Sequence, residues 1–202
     1  MKMTAYVLSA AAALAGYLIG SVNLSIIFSK MKGTDIRKMG SGNAGSTNTL
    51  RTMGKGFAAV VFIFDILKGF LPTFILCRLF MQNQACIYAF FAVIGHCFPL
   101  YFGFKGGKGV ATAIGAVFAL SVPTALMVLA EFVIVLLLFR YVSVASIVAA
   151  FNLPFFAYYF TDNLLLLECV CCIALIVIAG HKSNIIRVRE GTENALFGKK
   201  KK

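Results

Sequence analysis

Seven apolar runs alternate with polar segments along the chain, near residues 5–28, 57–80, 85–104, 109–120, 124–139, 143–160 and 164–180. A helix of about 20 such residues crosses a hydrocarbon core of about 30 Å. In lipid each backbone amide and carbonyl must find its partner inside the segment, so runs of this length predict helices. The polar positions are unevenly shared. Residues 81–84 and 161–163 are brief turns, whereas 29–56, 105–112 and 181–193 collect Gly, Ser, Asn, Thr, Lys and Arg. The pattern predicts an all-α, polytopic integral membrane helical bundle, with 1–202 forming a single membrane-embedded domain.

Composition sharpens this. Of 202 residues 60% are apolar and 13% charged, against roughly half and a quarter in a soluble domain. Twenty Phe and seven Tyr exclude a solvated, disordered chain. The residues left for connections are too few for a separate soluble domain, so any chemistry belongs to the connections or the polar ends of the spans.

Charge sets the expected orientation. Nineteen Lys and Arg face seven Asp and Glu, for a net +12. In a membrane protein this excess reads as topology rather than as a nucleic-acid footprint. If Ser121-Val122-Pro123 is a turn, the chain crosses seven times. Sixteen of the nineteen basic residues then share one side, among them Lys30, Arg51, Lys105, Lys108, Arg140, Arg187 and Lys199–Lys202. Lys2 and Arg78 remain on the other, and Lys68 lies inside a span. A single crossing by 109–139 would move Arg140 and the tail across, against the positive-inside bias. The expectation is seven transmembrane segments, N-terminus outside and C-terminus cytoplasmic. Residues 109–120 make a helix of only about 18 Å, which calls for thinning, tilt or a re-entrant path. A cleaved signal peptide is not expected, because only Lys2 precedes the first run, which continues past Ala11–Ala13 to Phe28. The six cysteines (Cys77, Cys86, Cys97, Cys169, Cys171, Cys172) lie within or beside apolar runs without metal-ligand spacing, and read as small apolar fillers.

Three polar constellations carry candidate chemistry. The first is GSGNAGSTN, Gly40 to Asn48, followed by Arg51. Its glycines free the backbone to approach a ligand, successive amides can form an anion nest, and Arg51 offers a planar donor fork suited to phosphate. A polar turn with helix-capping residues is the competing reading. The second is KGGKGVAT, Lys105 to Thr112, opening an apolar segment. Gly106, Gly107 and Gly109 expose amides at a helix start beside Lys108, the physical recipe for a phosphate at a helix N-terminus. It is not a Walker loop: Phe102 stands where the opening glycine belongs, and Gly109-Val110 after Lys108 supplies no hydroxyl. Phosphate without nucleotide is the inference; a glycine turn with basic flanks is the alternative. The third is HKSNIIRVREGTE, His181 to Glu193. On a continuing helix His181, Asn184 and Arg187 share one face and would look into the pocket of the two glycine loops. A juxtamembrane end docked on lipid headgroups competes, and is preferred for Arg189 and Lys199–Lys202.

Smaller polar features accompany these. Asp65 and Lys68, three apart within a span, are functional candidates by location and equally a mutual ion pair. His96 reads as a hydrogen-bonded packing residue more than as a catalyst. Ser143 and Ser146 either cap a helix or meet substrate. No Cys/His or His/carboxylate set has metal spacing. His96 has no Asp within the next five residues, and no Gly-x-Ser-x-Gly elbow occurs, so a covalent acyl-enzyme has little support.

Together GSGNAGSTN, GH…FKGGKGVAT and H-x2-N-x2-R-x3-G-x-E, in this order and on one side, resemble the bacterial acyl-phosphate:glycerol-3-phosphate acyltransferase family (PlsY type), over the whole chain. The resemblance implies transfer of a fatty acyl group from acyl phosphate to the 1-hydroxyl of glycerol 3-phosphate. The products would be lysophosphatidate and inorganic phosphate, in the first committed step of bacterial phospholipid synthesis. It implies no cofactor, no metal and no nucleic acid, a place in the bacterial cytoplasmic membrane with the site facing the cytoplasm, contact with membrane lipid, and functional coupling to the enzyme that makes acyl phosphate. Carried onto this chain, Gly40, Ser41, Asn43, Gly45, Thr47 and Asn48 would shape the first pocket, with Arg51 gripping phosphate. Lys108, with Lys105, Gly109 and the Gly106 and Gly107 amides, would hold the other phosphate and steady charge as the carbonyl is attacked. Ser146, His181, Asn184 and Arg187 would complete the pocket, with Glu193 in support. Ser41, Arg51, Lys108, His181 and Asn184 are the catalytic set. The substrate's own phosphate would accept the proton, the protein mainly positioning both reactants.

The competing class is a transporter for phosphate or a phosphorylated metabolite, since carriers also hold anions at basic half-helix ends. No internal repeat between the halves supports it, and the polar groups gather on one side rather than at the midplane.

Overall fold

The computed structural model describes residues 2–79 and 81–196, so Lys199–Lys202 and the end of the 57–80 run at Phe80 lie outside the described residues. The regular structure among the described residues is helical, with no strand among them. The fold is an all-helical integral membrane fold, and it divides into two compact units, Met1–Leu120 and Ser121–Lys202.

In the first unit α1 (Lys2–Gly20) and α2 (Leu24–Met31) together cover the run read as a single span over 5–28. The chain breaks between them because Asn23 turns extended and its side chain accepts the Ile26 amide, capping α2. The polar segment read as a plain connection over 29–56 holds a short helix of its own, α3 (Ser46–Met53), and then enters α4 (Lys55–Arg78). α5 (Gln82–Cys97) ends seven residues short of the expected 104, and α6 (Val110–Leu120) follows the second glycine loop.

Close helix packing here depends on small residues, as it does wherever lipid removes the hydrophobic drive between helices. A Cβ at Gly20 would strike the backbone of Ala92, and one at Gly95 would meet the Ser21 amide at 2.8 Å, which brings α1 against α5. Pro72 interrupts α4 and cannot supply the amide that the Lys68 carbonyl would accept. The Tyr88 hydroxyl of α5 donates to that carbonyl instead, at 2.9 Å. The carbonyl freed by Pro72 is therefore satisfied from α5.

The second unit contains α7 (Val122–Phe139), α8 (Val142–Phe160), α9 (Leu164–Gly180) and α10 (Lys182–Arg189). α6 ends at Leu120 and α7 starts at Val122, with Ser121 extended between them and Pro123 in the first turn of α7; the turn expected over Ser121-Val122-Pro123 is a break at Ser121 alone. Arg140 reverses the chain after α7 in a left-handed conformation. α9 and α10 are bent by 50° at His181 instead of running as one helix.

Among the described residues five helical stretches are long and apolar enough to cross a membrane: Met3–Met31, Lys55–Arg78, Gln82–Phe102, Val122–Phe139 and Val142–Phe160. The bent pair α9–α10 is a sixth if counted as one span, and α6 is a shorter apolar helix. Large apolar side chains such as Leu138, Phe155 and Tyr159 are exposed, as lipid-facing residues are when the bilayer is their solvent. Cys86, Cys97 and Cys169 are buried fillers, whereas Cys171 and Cys172 face outward from α9.

Candidate active site

The first glycine loop is built on a small apolar base of Ile26, Ile36 and Ala44, flanked by Met53 and Phe102. Above it Asn48, 1% exposed, uses both ends of its amide on the loop. Its Oδ1 accepts the Ser41 amide at 2.9 Å, and its Nδ2 donates to the carbonyls of Met39 at 2.9 Å and Ile36 at 3.2 Å. Gly40 adopts φ +58, and a Cβ there would collide with Asn48 Oδ1. The loop therefore needs glycine at this position on two counts. Asn48 shapes the loop from beneath while Ser41, Asn43 and Thr47 stay half-buried and Arg51 is exposed on α3. Gly45 begins α3, so the positive end of its dipole lies beside Ser46 and Thr47.

The second loop folds back on the end of α5. The Gly106 amide donates to Cys97 O at 3.1 Å and the Gly107 amide to His96 O at 3.0 Å. This corrects the expectation that both amides face a phosphate, because their hydrogens close the loop. Lys108 is half-buried, Lys105 exposed and Gly109 buried just before α6. The first amides of a helix have no intrahelical partners, so the opening of α6 retains the donor character sought in the glycines.

The two loops meet. A Cβ at Gly107 would collide with His96 Nε2 and come within 2.8 Å of Ala44 O. Arg37 provides the second tie, donating from Nη1 to Phe102 O at 2.7 Å and to Lys105 O at 3.4 Å. Its Nε and Nη2 are held by Asp35 at 2.9 and 2.8 Å. The hydrogen bond from the Arg37 side chain holds the Asp35 carboxyl down at about 2. From the sequence alone Arg37 is one of the sixteen basic residues of the expected cytoplasmic side. The Asp35-Ile36-Arg37 spacing, an Asx turn over a 3-10 helix, was the available signal.

In the second unit the third motif converges on Glu193. Its Oε1 accepts the Ser143 hydroxyl and the Asn184 amide, each at 2.7 Å, and its Oε2 accepts Arg187 Nε at 2.8 Å. Gly191, at φ +67, turns the chain back after α10 so that Glu193 reaches the start of α8. Burial would raise this carboxyl, but the three hydrogen bonds and the Arg187 charge hold it below the usual glutamate value. Ser143 is therefore neither a cap nor plainly exposed to substrate. Ser146, also read as a possible cap, bonds the Val142 carbonyl one turn earlier at 2.8 Å. His181, 3% exposed, lies at the α9–α10 bend rather than on one helical face with Asn184 and Arg187. Its Nδ1 is 2.7 Å from Val177 O. A carbonyl only accepts, so Nδ1 carries a proton and donates this bond.

One further polar pair escaped sequence reasoning. Asn152 of α8 donates to Glu131 of α7, both half-buried within apolar helices.

Comparison with known proteins gives the family. Residues 10–191 match the family described as glycerol-3-phosphate acyltransferase. The chain is 41% identical over 200 residues to the glycerol-3-phosphate acyltransferase of Shewanella woodyi, covering 98% of each chain. It is 41% identical to that of Aquifex aeolicus over 182 residues, 88% of this chain and 94% of the other. Two crystal structures of PlsY, an integral membrane glycerol 3-phosphate acyltransferase, are similar at 38% identity and cover 94% of this chain. The glycerol 3-phosphate form has TM-score 0.89 over 96% of its chain, and the lysphosphatidic acid form 0.85 over 95%. Sequence motifs, helical fold and relatives agree, and the chain belongs to the glycerol-3-phosphate acyltransferase family, as an acyltransferase of PlsY type.

Proposed function

We propose that this protein transfers a fatty acyl group from an acyl phosphate to the 1-hydroxyl of glycerol 3-phosphate. The hydroxyl oxygen attacks the acyl carbonyl carbon and forms the ester. The bond from that carbon to the phosphate oxygen breaks, and phosphate departs with the electron pair. The hydroxyl proton passes to a substrate phosphate, giving lysophosphatidate and inorganic phosphate. The donor is a mixed anhydride, already activated, so holding two anions in register accounts for a large part of the rate.

The observation that carries this reading is the pairing of two glycine-rich basic loops, tied by Arg37 to the Phe102 and Lys105 carbonyls. Two phosphorylated reactants call for two anion sites. Lys108 and the opening of α6 suit one phosphate; Ser41, Thr47, Arg51 and the start of α3 suit the other. The roles assigned to His181, Asn184, Ser146 and Arg187 belong to the same proposal, with Glu193 holding Asn184 and Arg187 in place. The reading takes 1–202 as one domain crossing the bacterial cytoplasmic membrane seven times, N-terminus outside. It places the three motif segments and sixteen basic residues on the cytoplasmic side, with functional coupling to the enzyme that supplies acyl phosphate.

The test is donor choice. Purified protein in lipid, given glycerol 3-phosphate with palmitoyl phosphate, palmitoyl-CoA or palmitoyl acyl carrier protein, is expected to form lysophosphatidate from the first alone. Comparable turnover from either thioester would contradict the proposed donor.

A further inference from the structure

Behind the two glycine loops lies a buried cluster to which the reaction assigns no part. Asp65, Lys68 and His96 are 2%, 4% and 3% exposed. An ammonium carries three donors and no acceptor, and Lys68 meets one ion-pair partner and two hydrogen-bond acceptors. Nζ lies 2.8 Å from Asp65 Oδ1, 2.9 Å from Val22 O and 2.9 Å from His96 Nδ1. Since the ammonium can only donate, His96 Nδ1 accepts, and the ring proton of the neutral imidazole is on Nε2, the nitrogen turned toward Gly107.

Two of the three partners of Lys68 lead to the loops. Val22 lies in the break between α1 and α2, next to Asn23, whose Nδ2 donates to Ala44 O of the first loop at 3.1 Å. His96 holds the second loop through its own carbonyl, which accepts the Gly107 amide at 3.0 Å, and through its ring, which fills the space beneath Gly107. Asp65 fixes the ammonium from within α4.

We propose that Lys68, with Asp65 and His96, is a positioning hub that sets the separation of the two glycine loops, and through it the approach of the two reactants. A charge pair is costly to bury, and simple packing of α4 against α5 does not require one. A three-way ammonium joining α4, the α1–α2 break and the end of α5 supplies something packing does not, a fixed distance between two loops carried on different elements. The inference rests on the reading that each loop holds one phosphorylated reactant.

That role has a kinetic signature. Each loop stays folded on its own base, so each ligand alone keeps its affinity, while the pair of reactants loses alignment. The variants Asp65→Asn/Lys68→Met, which removes both buried charges together, and His96→Asn, which shortens the spacer beneath Gly107, are compared with wild type in lipid nanodiscs. The expected result is binding of glycerol 3-phosphate alone and of palmitoyl phosphate alone within about threefold of wild type, with kcat lowered about a hundredfold, the scale of a 1 Å misplacement. Unchanged kcat, or affinity and kcat falling together in folded protein, overturns the inference. If the double variant is not recovered folded, His96→Asn decides by the same criterion. Wild-type protein that binds neither ligand would overturn the two-anion reading and this inference with it; wild-type binding without the split in the variants overturns the inference alone.

Discussion

The Ser143 hydroxyl donates to the Glu193 carboxylate at 2.7 Å, joining the first turn of α8 to a residue fifty positions later. The same carboxylate holds Asn184 and Arg187, so one buried acid gathers two residues of the third motif against α8. Glu193→Ala leaves three donors without their acceptor and is expected to destabilise the protein by about 1–3 kcal/mol, read as a lower melting temperature in detergent, with loss of turnover. Glu193→Gln keeps an acceptor for Ser143 or Asn184 and is expected to fall between.

The pH dependence of that contact has a definite sign. The folded-state carboxyl lies below the ordinary glutamate value near 4.5. Its contribution to stability is therefore complete above that value and is lost as pH falls through the lowered folded-state value. The melting temperatures of wild type and Glu193→Gln are expected to differ at pH 7 and to converge on acidification below about 4.5. A gap that widens in acid contradicts the assignment.

Arg37 is expected to behave as a lock rather than as a surface charge. Its fork engages Asp35 on one edge and the Phe102 carbonyl on the other, a geometry that the single ammonium of lysine does not reproduce. Arg37→Lys keeps the charge and is still expected to raise a substrate KM about tenfold, because misplaced positioning groups cost rate and binding alike. Kinetics indistinguishable from wild type would return Arg37 to the role of topology charge.

Asn48→Asp preserves size and shape but replaces the Nδ2 donor with an oxygen facing the Ile36 and Met39 carbonyls. Two acceptors are then left opposed in a buried site, at a cost of about 1–3 kcal/mol. The first loop is expected to open, with turnover falling by about tenfold or more while the helices persist by circular dichroism.

Much of this was legible in the sequence, for physical reasons that differ from segment to segment. The long helices could be read because lipid demands uninterrupted apolar runs, and the turn at Ser121 because proline follows it. The α1–α2 break could not be read, since apolar residues flank Ser21–Asn23 and the cause is a local cap by one asparagine. α3 was hidden because Ser46–Met53 is polar and too short to show a periodicity. The three motifs stood out as glycine- and asparagine-rich interruptions. What their atoms do was not visible: whether the Gly106 and Gly107 amides face a ligand or the carbonyls of Cys97 and His96 depends on how a loop folds onto a distant helix end. Asp65 and Lys68 were visible as a pair, while His96 as their third member appeared only once α4 and α5 were packed together.

Direct transfer makes a further prediction. With no acyl-enzyme on the path, protein mixed rapidly with palmitoyl phosphate and no acceptor is expected to release no burst of phosphate. A burst equal to the protein concentration would require a covalent intermediate and a nucleophile not assigned here.

The central claim is that two anion loops hold the two reactants for direct acyl transfer. It is tested most directly by following phosphate and lysophosphatidate together, in wild type and in Lys108→Ala, from palmitoyl phosphate and glycerol 3-phosphate. Wild type is expected to form the two products in equal amounts, and the folded variant to lose turnover by about a hundredfold or more. Near-normal activity of Lys108→Ala, or phosphate release without lysophosphatidate, would contradict it.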